Sequence, residues 1–179
     1  RDDETLLGAV RNLPIKLIRV SDEFKIMETF KKQLKVGSRS SNLKEKVALI
    51  HGVSDVQLRK LYAKSKIVVV PIQRHSNQPA GLTALLEAMA MGKAIIITRG
   101  LATEDYVING KTAIIINPSD VDQLKNAILQ LLGDDLKRKI LGNNAHKSVE
   151  ENFTIERFAE KLANLLIKHA SDEDGEFYC

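Results

Sequence analysis

Short apolar runs alternate with amphipathic stretches along this chain. Residues 15–20, 47–50, 67–70, 94–98 and 113–116 are four to six residues long, rich in Ile, Val and Leu, and read as strands. The 67–70 run is unbroken Ile-Val-Val-Val and is closed by Pro71. Between the runs, apolar positions recur at helical spacing. Residues 2–12 place Leu6, Leu7 and Val10 on one face, with Asp2, Asp3 and Glu4 in the first turn, where the dipole favours acids. Residues 21–34 carry Phe24, Met27 and Phe30 behind Ser21 as cap, and 55–64 turn Leu58, Leu61 and Tyr62 inward. Residues 82–91 form a helix closed by Gly92. Ser119-x-x-Asp122 opens a helix, ended by Gly133, with Val121, Leu124, Ile128 and Leu131 on one face. A helix over 135–151 follows, and Thr154 caps a last one with Phe158, Leu162 and Leu165 inward. Residues 1–170 read as one domain and 171–179 as a polar, flexible tail.

Buried strands alternating with helices predict an α/β fold: a Rossmann-like, doubly wound parallel sheet with helices on both faces. Such folds take ligands outside the carboxyl ends of the strands. That directs attention to the loops at residue 21 onward, 51–54, 72–81 and 99–105.

Composition narrows the function classes. At 179 residues, 44% hydrophobic and 28% charged, the chain can bury a core without disulfides or metal. The single Cys179 excludes a disulfide framework or Cys-rich zinc site and suits a cytoplasmic setting. The four His are far apart in sequence, so neither a metal nor a cofactor is expected. Net charge is +4, aromatics are 4% and Trp is absent, which argues against nucleic acid as a partner.

Several motifs fail. No G-x-G-x-x-G and no Gly-x-Ser-x-Gly occurs. Gly110-Lys111-Thr112 imitates the end of a phosphate loop, but a strand follows it rather than a helix, so it reads as a turn. Asn152-Phe153-Thr154 is a formal glycosylation sequon whose threonine is better used as a cap.

The informative stretch is 70–92. Between residues 80 and 91 the only polar side chains are Thr83 and Glu87, four apart on one helix face. The rest of the helix is apolar nearly all round, which predicts burial. Two readings fit. In one, the amides of Leu82 and Thr83 with the Thr83 hydroxyl hold a diphosphate, Gly81 lets the ligand approach the backbone, and Glu87 accepts from ribose hydroxyls. In the other, Thr83 is only a cap and Glu87 pairs internally, for example with a Lys or Arg from a neighbouring loop.

Residues 61–71, 81–96, Thr98-x-Gly100, Asn109-Gly110-Lys111-Thr112 and Asn117-Pro118-x-Asp120 together resemble the C-terminal, donor-binding domain of GT-B glycosyltransferases, the large retaining group that includes sucrose synthase and glycogen synthase. The resemblance runs from about residue 1 to 166 and implies one half of a GT-B architecture. It implies a hexosyltransferase whose donor is a nucleotide sugar, UDP or GDP based. By the same resemblance Glu87 is the ribose-binding glutamate, and Gly81, Leu82 and Thr83 form the diphosphate-binding turn. A rival from another class is a Rossmann-like module that only senses a nucleotide or contacts a protein.

Two departures matter. Many members carry a second glutamate that contacts the donor sugar; that position here is Pro79, beside Gln78, and no Asp or Glu occurs between residues 56 and 86. The loop carries Arg74 instead, either as a positive charge for the leaving diphosphate or as a solvated loop residue. The resemblance also implies a strand before residue 1, central to the sheet, and an N-terminal acceptor domain before that. The expectation is therefore that the strands at 15–20 and 67–70 flank the place of this strand, either pairing directly or leaving a gap, and that the chain by itself is inactive. Peripheral membrane association of a full-length protein is compatible with the pattern.

Overall fold

The strands pair in two parallel sheets, and the strands at 15–20 and 67–70 fall in different ones. The computed structural model describes residues 2–21, 24–37, 43–73, 81–101 and 103–173. In chain order these give α1 (Asp3–Val10), β1 (Leu17–Val20), α2 (Phe24–Gly37), α3 (Leu43–Lys46), β2 (Val47–Ile50), α4 (Asp55–Lys64) and β3 (Ile67–Val70). There follow α5 (Leu82–Ala90), β4 (Ala94–Thr98), α6 (Thr103–Tyr106), β5 (Ile114–Ile116), α7 (Val121–Gly133), α8 (Asp135–Asn152) and α9 (Ile155–Glu173). Strand β1 pairs with β2, from Leu17 opposite Val47 to Val20 opposite Ile50. The second sheet has the order β3-β4-β5, with Ile67 opposite Ala94 and Ile96 opposite Ile114.

Strands β1 and β3 thus do not pair with each other, and each has one ladder partner among the described residues. Both stand on the apolar cluster beneath α1, to which Leu17, Ile67 and Val69 contribute. The unpaired edges explain why runs expected to be buried are only half-buried. Ile67, Val68 and Val69 are partly exposed, and Ile18 is 46% exposed.

Alternation along the strands separates the two faces. Ala94, Ile96 and Ile116 meet Leu6, Leu7 and Val10 of α1, Phe30 of α2 and Leu124, Ile128 and Leu131 of α7. Ile95, Ile97 and Ile115 meet Leu85, Ala88 and Met89 of α5 and Ala145 of α8. This is the doubly wound arrangement the sequence predicts.

Local signals set most boundaries. Ser54 and Gln57 form a complete capping box that starts α4. Gly92 ends α5 with φ 60°, a left-handed conformation that glycine adopts without strain. The start of α7 differs from expectation by one residue. Asp120 is the cap, its carboxylate accepting from the Gln123 amide at 2.8 Å, while Ser119 turns the chain with φ 60°. The inward reading of Phe24 falls on a side chain outside the described residues, and the first turn that Ser21 would cap includes residues 22–23, which also lie outside them.

Helix α9 corrects a second expectation. Thr154 does cap it, accepting from the Arg157 amide at 3.3 Å. Yet Phe158, Leu162 and Leu165 are 67%, 45% and 58% exposed rather than inward. Phe153 and Val149 at the end of α8 pack against the second cluster, and no described α9 residue joins either cluster. The helix runs to Glu173, into the predicted tail; residues 174–179 lie outside the described ones. Among the described residues no helix is long and apolar enough to cross a membrane.

Candidate functional site

Helix α5 starts at the carboxyl end of β3 without a side-chain cap. Its N-cap is Gly81, with φ 78° and no side-chain hydrogen bond to the first turn. First-turn amides have no partner within their own helix, so this end offers donors and the positive end of the dipole. Thr83 is exposed there. The loop ends around it converge: a Cβ on Gly100, after β4, would meet Ile72 Cδ1, after β3, at 3.4 Å. The amide of Asp2 donates to the Pro71 carbonyl at 3.3 Å, which brings the start of α1 to the same edge.

Glu87 lies one turn deeper than Thr83, on the same face and half-buried. Its Oε2 accepts a hydrogen bond from the Tyr62 hydroxyl of α4 at 2.9 Å. The internal partner is a neutral hydroxyl, not a Lys or Arg, and among the described residues no cation pairs with Glu87. Its other oxygen has no hydrogen-bond partner among the described residues. Expectation and structure differ over the helix itself: only Leu85, Ala88 and Met89 are buried, so α5 buries one side and presents the other. The reason is geometric, since the sheet and α8 cover one stripe of the helix and the Thr83–Glu87 stripe faces away from them.

The structure therefore brings Gly81, Leu82, Thr83 and Glu87 together as the sequence suggests. Arg74 and the Gln78-Pro79 departure lie outside the described residues. The described arginines at the nearby strand ends are already used. Arg19, at the end of β1, pairs with Asp3 at 3.1 Å, and Arg99, after β4, pairs with Glu104. Among the described residues no cluster of His, Cys, Asp or Glu could hold a metal.

A hollow of about 190 Å³ lies at the opposite end of the sheet, lined by Ser65, Lys66, Lys93, Asp135, Arg138 and Lys139. Two of its cations, both half-buried, serve the backbone. Lys93 donates to the carbonyls of Ala63 and Ser65 at 2.9 and 3.3 Å, and Arg138 to that of Leu132 at 3.1 Å. That role closes helix ends, and the chemistry of the chain points to α5 instead.

Tyr62 is the residue that sequence reasoning places only in the core. A tyrosine on an inward helix face carries a hydroxyl that needs a partner when buried, and that was the available signal.

Comparison with known proteins identifies the family and the fold. The family described as "Glycosyl transferases group 1" matches residues 11–148, more than half of the chain. A lipopolysaccharide core biosynthesis mannosyltransferase of Rhizobium leguminosarum bv. viciae is 28% identical over 133 residues, covering 74% of this chain and 36% of that relative. The capsular polysaccharide biosynthesis glycosyltransferase CapM of Staphylococcus aureus is 27% identical over 73% of this chain and 33% of its own length. Sucrose-phosphate synthase from Thermosynechococcus elongatus superposes with a TM-score of 0.80 at 25% identity, covering 95% of this chain and 42% of that one. Anabaena HepE, solved in complex with UDP and glucose, shares the fold with a TM-score of 0.79 at 20% identity, over 92% of this chain and 44% of that one. The chain spans less than half the length of each of these relatives. Its α/β architecture is one half of a GT-B fold, and the chain belongs to the glycosyl transferases group 1 family.

Proposed function

We propose that this domain is the donor half of a glycosyltransferase that moves a hexosyl group from a nucleoside diphosphate sugar, UDP or GDP based, to an acceptor. The observation that carries the reading is the uncapped start of α5 with exposed Thr83 and half-buried Glu87 on one face, one Glu87 oxygen being without a partner among the described residues. The Leu82 and Thr83 amides and the Thr83 hydroxyl hold the diphosphate, and Gly81 admits it close to the backbone. Glu87 accepts from ribose hydroxyls through a charge-assisted bond. In the reaction the bond between the anomeric carbon and the diphosphate oxygen breaks, and the electron pair leaves with the diphosphate. The acceptor oxygen bonds to that carbon, and its proton passes to the departing diphosphate. Arg74 stabilises the leaving charge. The family match and the mannosyltransferase relatives support this reading, as does a solved neighbour that contains UDP. The acceptor side is assigned to an N-terminal domain of the full-length protein, with peripheral membrane association compatible. The expected cytoplasmic setting is supported by the single cysteine. No cofactor is required by this chemistry.

Titration of UDP, GDP and ADP into the wild-type protein and Glu87→Ala by calorimetry tests the site. UDP or GDP should bind, and Glu87→Ala should weaken binding by about 1.5–3 kcal/mol, the scale of a hydrogen bond to a charged group. Unchanged affinity in Glu87→Ala refutes the assignment.

A further inference from the structure

We infer that Tyr62 is a positioning residue for the donor site: its hydroxyl holds one oxygen of Glu87 so that the other is presented to the ribose hydroxyls of the bound nucleotide. The inference rests on the reading of Glu87 given above. It comes from a contact between two helices on either side of β3, in which Tyr62 Oη donates to Glu87 Oε2 at 2.9 Å.

The donor's own position is fixed from several sides. Tyr62 sits in the last turn of α4, where its carbonyl accepts from the Ser65 amide at 3.0 Å and from the Ser65 hydroxyl at 2.8 Å. Lys93, just before β4, clamps the same helix end through the carbonyls of Ala63 and Ser65. The Tyr62 side chain packs against the cluster formed by Leu85, Ala88 and Met89 of α5. Its hydroxyl therefore stands on a rigid support rather than on a loop.

A glutamate side chain otherwise has several rotamers, and binding a ligand must freeze them. Holding Oε2 in advance removes much of that cost and leaves Oε1, which has no partner among the described residues, as the acceptor, the arrangement that preorganised binding groups need. The choice of tyrosine matters chemically. A Lys or Arg at this place would neutralise the carboxylate and compete with the sugar hydroxyls. A neutral hydroxyl orients the group and leaves its charge to strengthen the bonds to ribose. Tyr62 thus tunes recognition of the ribose, not of the diphosphate held at the uncapped helix end.

The test compares UDP and GDP with their 2′,3′-dideoxy analogues, titrated into full-length wild type, Tyr62→Phe and Glu87→Ala, with melting curves in parallel. Wild type should prefer the ribose form of the nucleotide it binds. Tyr62→Phe should lose about tenfold of that preference, the size expected of one impaired hydrogen bond to a charged group. Its affinity for the dideoxy form should stay unchanged. A merely structural tyrosine would weaken both forms equally, and that result overturns the inference. Undiminished ribose preference in Tyr62→Phe, with the preference lost in Glu87→Ala, overturns the role of Tyr62 alone. Undiminished preference in Glu87→Ala, or no nucleotide binding by wild type, removes the donor-site reading and this inference with it.

Discussion

A Cβ placed on Gly142 would stand 2.1 Å from the carbonyl oxygen of Gly92. Helix α8 is therefore pressed against the turn that ends α5, and the ring of His146, one helical turn on, meets the Ala90 carbonyl at 2.8 Å through Nδ1. The far end of α5 is held by backbone-to-backbone proximity. Gly142→Ala should force these segments apart and cost about 1–3 kcal/mol or more, the range for overpacking. Gly133→Ala is the control, because nothing lies within 4 Å of a Cβ there. Urea melts of the two variants should differ clearly, and equal stability would show that α8 shifts without cost.

The ion pair between Asp3 and Arg19 makes a separate prediction. Their side chains are 7% and 11% exposed, and the Arg19 guanidinium also lies 5.7 Å from the Phe30 ring centroid. Asp3→Ala strands a buried cation and should destabilise by about 3–5 kcal/mol. Replacing both partners, as Asp3→Leu with Arg19→Met, should cost less than the single change. Chemical denaturation of the three proteins checks the order. A double variant less stable than Asp3→Ala would show that the pair is net stabilising.

Thr83 should matter to ligand and not to fold. It is exposed, and its side chain makes no capping bond among the described residues. Thr83→Ala should therefore leave the melting temperature nearly unchanged, within about 0.5 kcal/mol of stability. Nucleotide affinity should fall by about 0.5–1.5 kcal/mol, one ordinary hydrogen bond. Loss of stability without loss of affinity would return Thr83 to a structural role.

What the sequence made legible follows the range of each signal. The bounds of α4, β3 and β4 agree with expectation because they are written locally, in the Ser54 cap, the Pro71 stop and the Gly92 turn. The Thr83–Glu87 face was readable from a spacing of four. The Tyr62–Glu87 bond spans 25 positions and two helices, and no periodicity reports such a contact. The pairing of Asp3 with Arg19, across 16 positions, was hidden for the same reason. Helix α9 shows a different limit. Its spacing identified an apolar stripe correctly, but a stripe reports that cover is wanted and not that the same domain supplies it.

That limit is testable. Phe158→Gln, Leu162→Gln and Leu165→Gln should each change stability by no more than about 0.5 kcal/mol, since all three side chains are exposed. Buried leucines at these positions would cost about 2–5 kcal/mol when truncated. Thermal melts of this chain distinguish the two cases, and a large loss would mean that α9 folds back onto the domain in solution.

The division into two sheets has a consequence for how the protein opens. One sheet is built from residues 17–50 and the other from residues 67–116, each a contiguous stretch of chain without a ladder to the other among the described residues. Contiguous, separately bonded units tend to exchange their amide protons as separate cooperative blocks. Gly81, Thr83 and Glu87 all belong to the later stretch. Nucleotide should therefore slow deuterium uptake in β3, β4 and β5 by mass action while β1 and β2 keep exchanging at their unliganded rate. Equal protection of both stretches would mean that the halves breathe as one.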